Sequence, residues 1–550
     1  MALRWLKKER ELSWAKIKPY VFVYILLPIV VFVAFWLKPL FGIPLAILVV
    51  VAGMFAINPK CLKQSRFIQS YFLHDNLVKT PFSTEGKLVE EKSRGITLPT
   101  WLLISLFLLA LAWCFFGGHG SMWAQSSDWN VRNAIFHDLI TYSWPIYYDD
   151  GNSALVYYLN YWLPAAGPAR LLFIITSNEA LCWIIGNGLL LLWGSLGIFL
   201  VFLLVPLILR ANTTVKVILV AFLVIMFSGM DIVGIVFKAL YGNPEAAHSG
   251  FTSMHLERWS RLGVYQYSSN TTLLYWVFNQ TIIPWICVCA MLLSRNISTL
   301  LLILAACFAS GPFAGVGLAV LMLFMGIPLL VDMVRQEKLK QFIVSLFSPM
   351  NLIGLFITAV YSLYFIGNQS IASTSGRLTM FGLAEGSGVE AVALFILLEV
   401  GIYILIILRT YKKNSLYWGV CCMLFIAPLI HIGSVYEFCC RATIAPLFVL
   451  MLLCGHFLLK KAPSFKTEPL MKNLPALMLI ICLTMGAITP LFEMTRGITL
   501  VKTYGIEEAL QPIADLANSP IEENKANNFK APVSDQLFYR IFAAKWNDGV

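Results

Sequence analysis

An all-α bundle of membrane-spanning helices is the fold this sequence predicts, and three observations carry the prediction. The 550 residues are 59% hydrophobic and only 13% charged, with a mean hydropathy of +0.76, far more apolar than a soluble domain. The apolar residues gather into runs near the ~20 residues that a helix needs to cross ~30 Å of hydrocarbon. The basic residues gather in the connectors between those runs, and one count of crossings puts the basic connectors on the same side.

About thirteen spans follow, near 20–36, 43–57, 99–116, 180–209, 217–240, 272–294, 297–311, 313–331, 349–367, 390–408, 416–434, 442–459 and 474–492. The first lies far from the start and lacks a small-residue cleavage site, so it reads as a retained span rather than a signal peptide. The opening LRWLKKERELSWAKIK is basic and places the N-terminus in the cytoplasm. The basic segments 60–94, 210–216, 335–340, 409–413 and 460–466 then fall inside as well. By the same count the loop 125–150 and the tail after Phe492 fall outside. Three regions result: a hairpin with a cytoplasmic segment (1–98), a membrane core with outer loops (99–492) and an outer tail (493–550).

The net charge of +11 does not point to nucleic acid, because it resides in those connectors. Cys287, Cys289, Cys421 and Cys422 lie inside apolar runs, where a thiol packs as a small hydrophobe. No Cys/His spacing is that of a zinc site. The stretch SALVYYLNYWLPAAGPARLLF is apolar enough to span, but it holds Pro164, Gly167, Pro168 and Arg170 and is rich in Tyr and Trp. Those residues break helices or favour the membrane interface. It is therefore expected as an interfacial helix on the outer surface.

The loop before it, QSSDWNVRNAIFHDLI, places ionisable groups directly after a span. Asp128 precedes a helix-like stretch and has two readings: a helix N-cap, or a carboxylate that takes a proton from an attacking hydroxyl. Asp138 follows ten residues later, close to three helical turns, with His137 beside it. They read as a second acidic group or metal ligands, or as a solvated face.

This order of span, acidic outer loop and interfacial helix resembles the GT-C superfamily of polytopic glycosyltransferases. The resemblance covers roughly 99–290, and the rest as a membrane bundle. It implies a GT-C-like fold, an outer-face active site and a bacterial plasma-membrane setting. It also implies a polyprenyl-phosphate-linked sugar donor and a glycan, lipid or protein acceptor, among membrane lipids and without nucleic acid. Asp128 matches the family's leading acid and is expected as the general base. A divalent metal, Mg or Mn, is compatible with the family and not required by any residue pattern here. One departure is that the acid follows the third span rather than the first, so the first two spans read as an N-terminal addition.

Displacing a phosphate also needs positive charge on the leaving group. Arg441, in GSVYEFCCRATIAP, is spaced i, i+4 from Glu437 at the outer end of a span. It reads as a phosphate clamp or as a simple ion pair. Arg258, in HSGFTSMHLERWSRLG, and Arg132 are further phosphate candidates, with His255 and Glu257 as acceptor or metal candidates. Tyr157, Tyr158, Tyr161 and Trp162 read as contacts to the lipid or sugar, or as an aromatic belt. Asn270, Asn279 and Gln280, at the mouth of a span, are amides that bind hydroxyls or bridge helices. Asp231 and Glu399 fall within spans, where a charge costs ~2.5–3.5 kcal/mol on insertion scales and so needs a partner, a proton or water. They are the argument for the alternatives, a lipid or sugar-phosphate transporter or flippase. An O-antigen polymerase- or ligase-like enzyme is a third class.

Overall fold

In a computed structural model of the protein, the apolar runs form helices and the short connectors form their turns. The structure describes residues 5–58, 82, 95–148, 151–241, 256–259, 265–368, 381–383, 388–432, 437–511, 515–516, 529–534 and 536–545. The chain opens with strand β1 (Glu9–Ser13) and a helical hairpin, α1 (Trp14–Trp36) and α2 (Pro39–Ile57). Strand β2 (Gly95–Pro99) leads into α3 (Thr100–Phe116), and the loop after α3 carries α4 (Trp129–Thr141). Then come α5 (Leu163–Thr176), α6 (Glu179–Leu209), α7 (Thr214–Met226), α8 (Asp231–Tyr241), α9 (Asn270–Trp276), α10 (Ile282–Ser294) and α11 (Leu300–Ser310). They are followed by α12 (Pro312–Arg335), α13 (Leu339–Leu346), α14 (Pro349–Phe365), α15 (Val389–Tyr411), α16 (Ser415–Ile426), α17 (Glu437–Ala442), α18 (Ile444–Lys461), α19 (Leu470–Gly486) and α20 (Ile488–Tyr504).

The ends of these helices follow local chemistry. Asn178 accepts the backbone N–H of Leu181 to start α6, and Arg210 closes it in the left-handed region at φ 56°. Thr213 caps α7, and Ser348 with Pro349 starts α14. Among the described residues, seven helices are long and apolar enough to cross a membrane, or up to ten if each bent pair is one span. These are the helices of an integral membrane protein. The difference from thirteen lies in α3, the 297–310 segment and α16, apolar helices of at most 17 residues, at or below the lower end of the ~17–25 that a crossing takes. α2 leaves Leu40, Ile47 and Met54 exposed, as a lipid-facing helix does, whereas every residue of α10 is buried.

Three pairs bend sharply: α7 to α8 by 42°, α13 to α14 by 49° and α9 to α10 by 113°. α15 holds a π-helical turn at Leu397–Gly401. α1 is packed into the bundle: Tyr24 stacks on Trp193 at 4.0 Å and Phe32 on Tyr361 at 4.5 Å.

Two small sheets mark the two ends. β1 pairs antiparallel with β2 where α1 begins. Where α1 ends, Lys38 N–H donates to Phe542 O at 2.8 Å. At that same end the loop strands β3 (Tyr147–Tyr148) and β4 (Ser153–Leu155) add β5 (Lys530–Pro532) from the tail. At the β1–β2 end, Phe82 packs on His456 at 5.3 Å, and His456 feels Lys460 and Arg210. The loop holding Asp128 and the tail therefore share one face, and basic connectors gather at the other. A membrane-impermeant maleimide is expected to label the exposed positions Ser127→Cys and Lys545→Cys in intact cells. Labelling only after permeabilisation would reverse the orientation, and labelling of one alone would break the shared face.

The segment 153–173 is not one interfacial helix. It divides into β4, a 3₁₀ turn at Leu159–Tyr161 and α5, because the tail strand recruits its first residues into a sheet.

Candidate active site

Asp128 sits immediately before α4, and its side chain caps nothing. It turns instead to Arg132, one helical turn on, with Nη2 to Oδ2 at 3.1 Å. The carboxylate is half exposed (51%), whereas the Arg132 side chain is 6% exposed. Arg132 lies over the Phe278 ring at 5.5 Å, and its Nη1 has no hydrogen-bond partner among the described residues. A buried guanidinium with an unused donor is poised for an anion.

Phe278 organises this neighbourhood. It belongs to the 3₁₀ turn Phe278–Gln280, which joins α9 to α10 at their 113° bend. Trp129 stacks on it at 4.4 Å, and His119, Tyr161 and Trp162 pack around it at 4.7–5.7 Å. Burial pushes the His119 imidazole down to about 4, so it is neutral at pH 7. Its Nε2 faces the Leu274 carbonyl at 3.4 Å, and Nδ1 accepts from the Tyr161 hydroxyl at 3.0 Å. Tyr161 and Trp162 are thus fully buried, which corrects the expectation that they form an aromatic belt or a surface for lipid.

On the far side of these rings, Trp162 meets Tyr157 at 6.2 Å and Tyr157 meets Tyr158 at 4.7 Å. Both phenols interact electrostatically with Arg441. Arg441 Nη1 pairs with Glu437 Oε1 at 3.0 Å, and the two side chains are 18% and 30% exposed. Burial opposes the charge on Arg441, but Glu437 and the two phenols outweigh it and hold the guanidinium above its usual range. α17, which carries Arg441, packs along the first turns of α12: Phe313 meets Phe438 at 5.4 Å, and Gly317 leaves room for the Ala442 carbonyl. The sequence gives no sign that residues near 157, 278 and 441 meet.

Other candidates lie elsewhere. Asp138 is neither a solvated face nor beside Asp128. It is fully buried, accepts from Tyr148 Oη at 2.6 Å and from Leu516 N–H at 3.3 Å, and faces His137 Nδ1 at 3.5 Å. Burial raises its carboxyl against the opposing pull of His137 and Tyr148. His137 also reaches Glu179 at 3.0 Å. Asp138 thus fastens the tail to α4, and His137 ties α4 to α6. Among the described residues no three His, Cys, Asp or Glu side chains converge as a metal site.

His255 lies outside the described residues. Glu257 and Arg258 occupy a 3₁₀ turn and part company: Arg258 is exposed and Glu257 is 3% exposed. Glu257 accepts from Ser269 N–H at 2.8 Å and Gln266 Nε2 at 3.0 Å, so it holds the start of α9 rather than presenting itself to an acceptor. Burial, and then the Asp231 carboxyl, push it up to about 8. A folded-state value above the unfolded one means that the fold holds a proton the unfolded chain releases, so stability is lost as pH rises between about 4.5 and 8. The melting temperature is expected to fall from pH 5 to pH 8, and Glu257→Gln to flatten that slope. An unchanged slope in Glu257→Gln would contradict the assignment.

Asp231 and Glu399 lie within hydrogen-bond reach of each other at the break between α7 and α8. Ser228 and Thr489 donate to Asp231 Oδ2 at 3.0 and 2.8 Å, and Trp259 Nε1 donates to Glu399 Oε1 at 2.7 Å. Asp231 Oδ1 and Glu399 Oε2 have no hydrogen-bond partner among the described residues. A Cβ at Gly229 would overlap Glu399, so the break and the π turn approach as closely as they do only with glycine there.

Sequence reasoning missed Glu493 and Arg496, read as part of a tail. They pair at 3.0 Å, Trp276 Nε1 donates to Glu493 at 2.9 Å, and Arg496 lies over the Trp276 ring at 4.8 Å. With Gln125 and Ser126 they line a small pocket, two residues from Asp128. The i, i+3 spacing of Glu493 and Arg496 was the available signal. Compared with family models, curated proteins and solved structures, the chain matches none.

Proposed function

We propose that the protein is a membrane glycosyltransferase that moves a sugar from a polyprenyl-phosphate donor to an extracytoplasmic acceptor. One observation carries this reading. A chain of contacts links the two ion pairs: Arg132, the partner of Asp128, lies over Phe278, Trp162 packs on Phe278 and meets Tyr157, Tyr157 meets Tyr158, and both phenols interact electrostatically with Arg441, the partner of Glu437. In this reading Arg441 holds the donor phosphate between the two phenols. Asp128, half exposed on the other side of the Phe278 turn, takes the proton of the acceptor hydroxyl. The new bond joins the acceptor oxygen to the anomeric carbon as the bond from that carbon to the phosphate oxygen breaks. The lipid phosphate leaves with its charge on Arg441, and Arg132 keeps the Asp128 carboxylate in position. Of the roles set out from sequence, Tyr157 and Tyr158 remain donor contacts.

A carrier is the second reading, and the Asp231–Glu399 pair favours it. Two facing carboxyls at a broken helix are satisfied by one proton between them, and such sites serve proton-coupled transport. Proteoliposomes separate the two. A transferase converts a radiolabelled polyprenyl-phosphate sugar to polyprenyl phosphate and a glycosylated acceptor. A carrier moves the lipid across unchanged, and that result would overturn the transferase reading.

A further inference from the structure

The turn Phe278–Gln280 has three side chains, and only the first is accounted for by packing. Asn279 and Gln280 are fully buried, yet none of their four amide atoms has a hydrogen-bond partner among the described residues. Asn270, nine residues earlier, shows the contrast. Its Nδ2 donates to the Val224 carbonyl at 2.7 Å, so that amide bridges helices. The Asn279 and Gln280 amides bridge nothing. Leaving a buried amide unpaired costs about 1–3 kcal/mol, and two of them side by side in an apolar bundle call for an occupant.

The surroundings define what that occupant is. The turn packs on Leu159–Tyr161, where Asn160 Oδ1 accepts from Tyr361 at 2.7 Å while Nδ2 stays unpartnered. The Gln280 side chain lies against Gly311, the residue before α12, with Oε1 at 3.1 Å from where a Cβ would sit. The first intrahelical bond of α12 runs from Gly315 N–H to Gly311 O, so the N–H groups of Phe313 and Ala314 precede it. Each of these amides and backbone groups is a neutral donor or acceptor, and no carboxylate is among them to hold a metal ion. Neutral amides with both donor and acceptor atoms match hydroxyls, which also donate and accept.

We infer that Asn279, Gln280 and Asn160 form a subsite for the hydroxyl groups of a sugar. The assignment rests on the transferase reading, and it fits that reading's order in space. Phosphate sits at Arg441 beside Tyr157 and Tyr158, the sugar at the three amides, and the base beyond Phe278. The amides then distinguish a glycosylated lipid phosphate from the spent lipid phosphate.

Binding to the full-length protein in detergent tests this with farnesyl phosphate and with farnesyl phosphates bearing glucose, galactose, mannose, N-acetylglucosamine or arabinose. At least one sugar is expected to tighten binding relative to bare farnesyl phosphate. Gln280→Met keeps the side-chain length and removes the amide. It should erase about tenfold of that gain while bare farnesyl phosphate binds as before, which also reports that the variant is folded. Asn279→Leu is read in the same way and decides the matter should Gln280→Met fail to fold. Bare farnesyl phosphate bound without any gain from a sugar, or a gain that survives both variants, would overturn the subsite and leave the amides to buried water. Absence of binding even to bare farnesyl phosphate would instead overturn the transferase reading, and the subsite with it.

Discussion

In the transferase reading, Asp128→Asn is expected to abolish sugar transfer and to leave the protein folded. The amide keeps the shape of the side chain, and its carbonyl still accepts from Arg132, but it cannot take a proton. A general base contributes typically ~10²–10⁴ in rate, and a loss of that size is expected. Stability should change little, because Asp128 is half exposed and makes no cap, and the amide carbonyl still accepts from the buried Arg132 guanidinium. Comparing transfer with the melting temperature separates the two roles. Near-normal transfer in Asp128→Asn would remove Asp128 from catalysis and leave its pair with Arg132 as its only role.

Arg441 should behave differently, because the role proposed for it is to bind charge rather than move a proton. Arg441→Ala removes both the guanidinium fork and the partner of Glu437, and a loss of about ten- to hundredfold is expected from hydrogen bonds to a charged group. Arg441→Lys keeps the charge without the planar fork and should lose less. The ion pair by itself makes another forecast. If Arg441 serves only Glu437 at 3.0 Å, then Glu437→Gln combined with Arg441→Ala restores what Arg441→Ala damaged. If Arg441 holds phosphate, the double variant stays as impaired as Arg441→Ala. Measured transfer in the two single variants and the double variant decides between them.

The helices were legible because hydropathy and length are local properties. The runs near 20–36, 180–209 and 313–331 are α1, α6 and α12 with ends moved by a few residues. The breaks were not legible. A window of ~20 residues averages over Phe227–Met230 and over Val277–Thr281, and both stay apolar enough to pass. Start signals were only half informative: Ser127-Asp128 does mark where α4 begins, but the carboxylate chose Arg132 over the backbone. The Tyr-rich stretch misled because its fate is set by the tail. β5 pairs with β4, and no local pattern in either segment encodes that partnership.

The candidate site was legible as a set of residue types and not as a place. Arg441 with Glu437 follows from i, i+4 spacing on one short helix. That Arg441 interacts electrostatically with Tyr157 and Tyr158, almost 300 residues earlier, is supplied only by the tertiary structure. Glu257 illustrates the opposite error. Its charged neighbours made it look like a surface residue, but its carboxyl turns inward to hold Ser269 N–H.

The central claim is that a lipid phosphate docks at Arg441 on the face that carries Asp128. Electron cryo-microscopy of the protein in lipid nanodiscs with farnesyl phosphate tests it most directly. Phosphate density within hydrogen-bond distance of the Arg441 guanidinium, beside Tyr157 and Tyr158, is the predicted result. Density at the Asp231–Glu399 break, with Arg441 still paired only to Glu437, would contradict it.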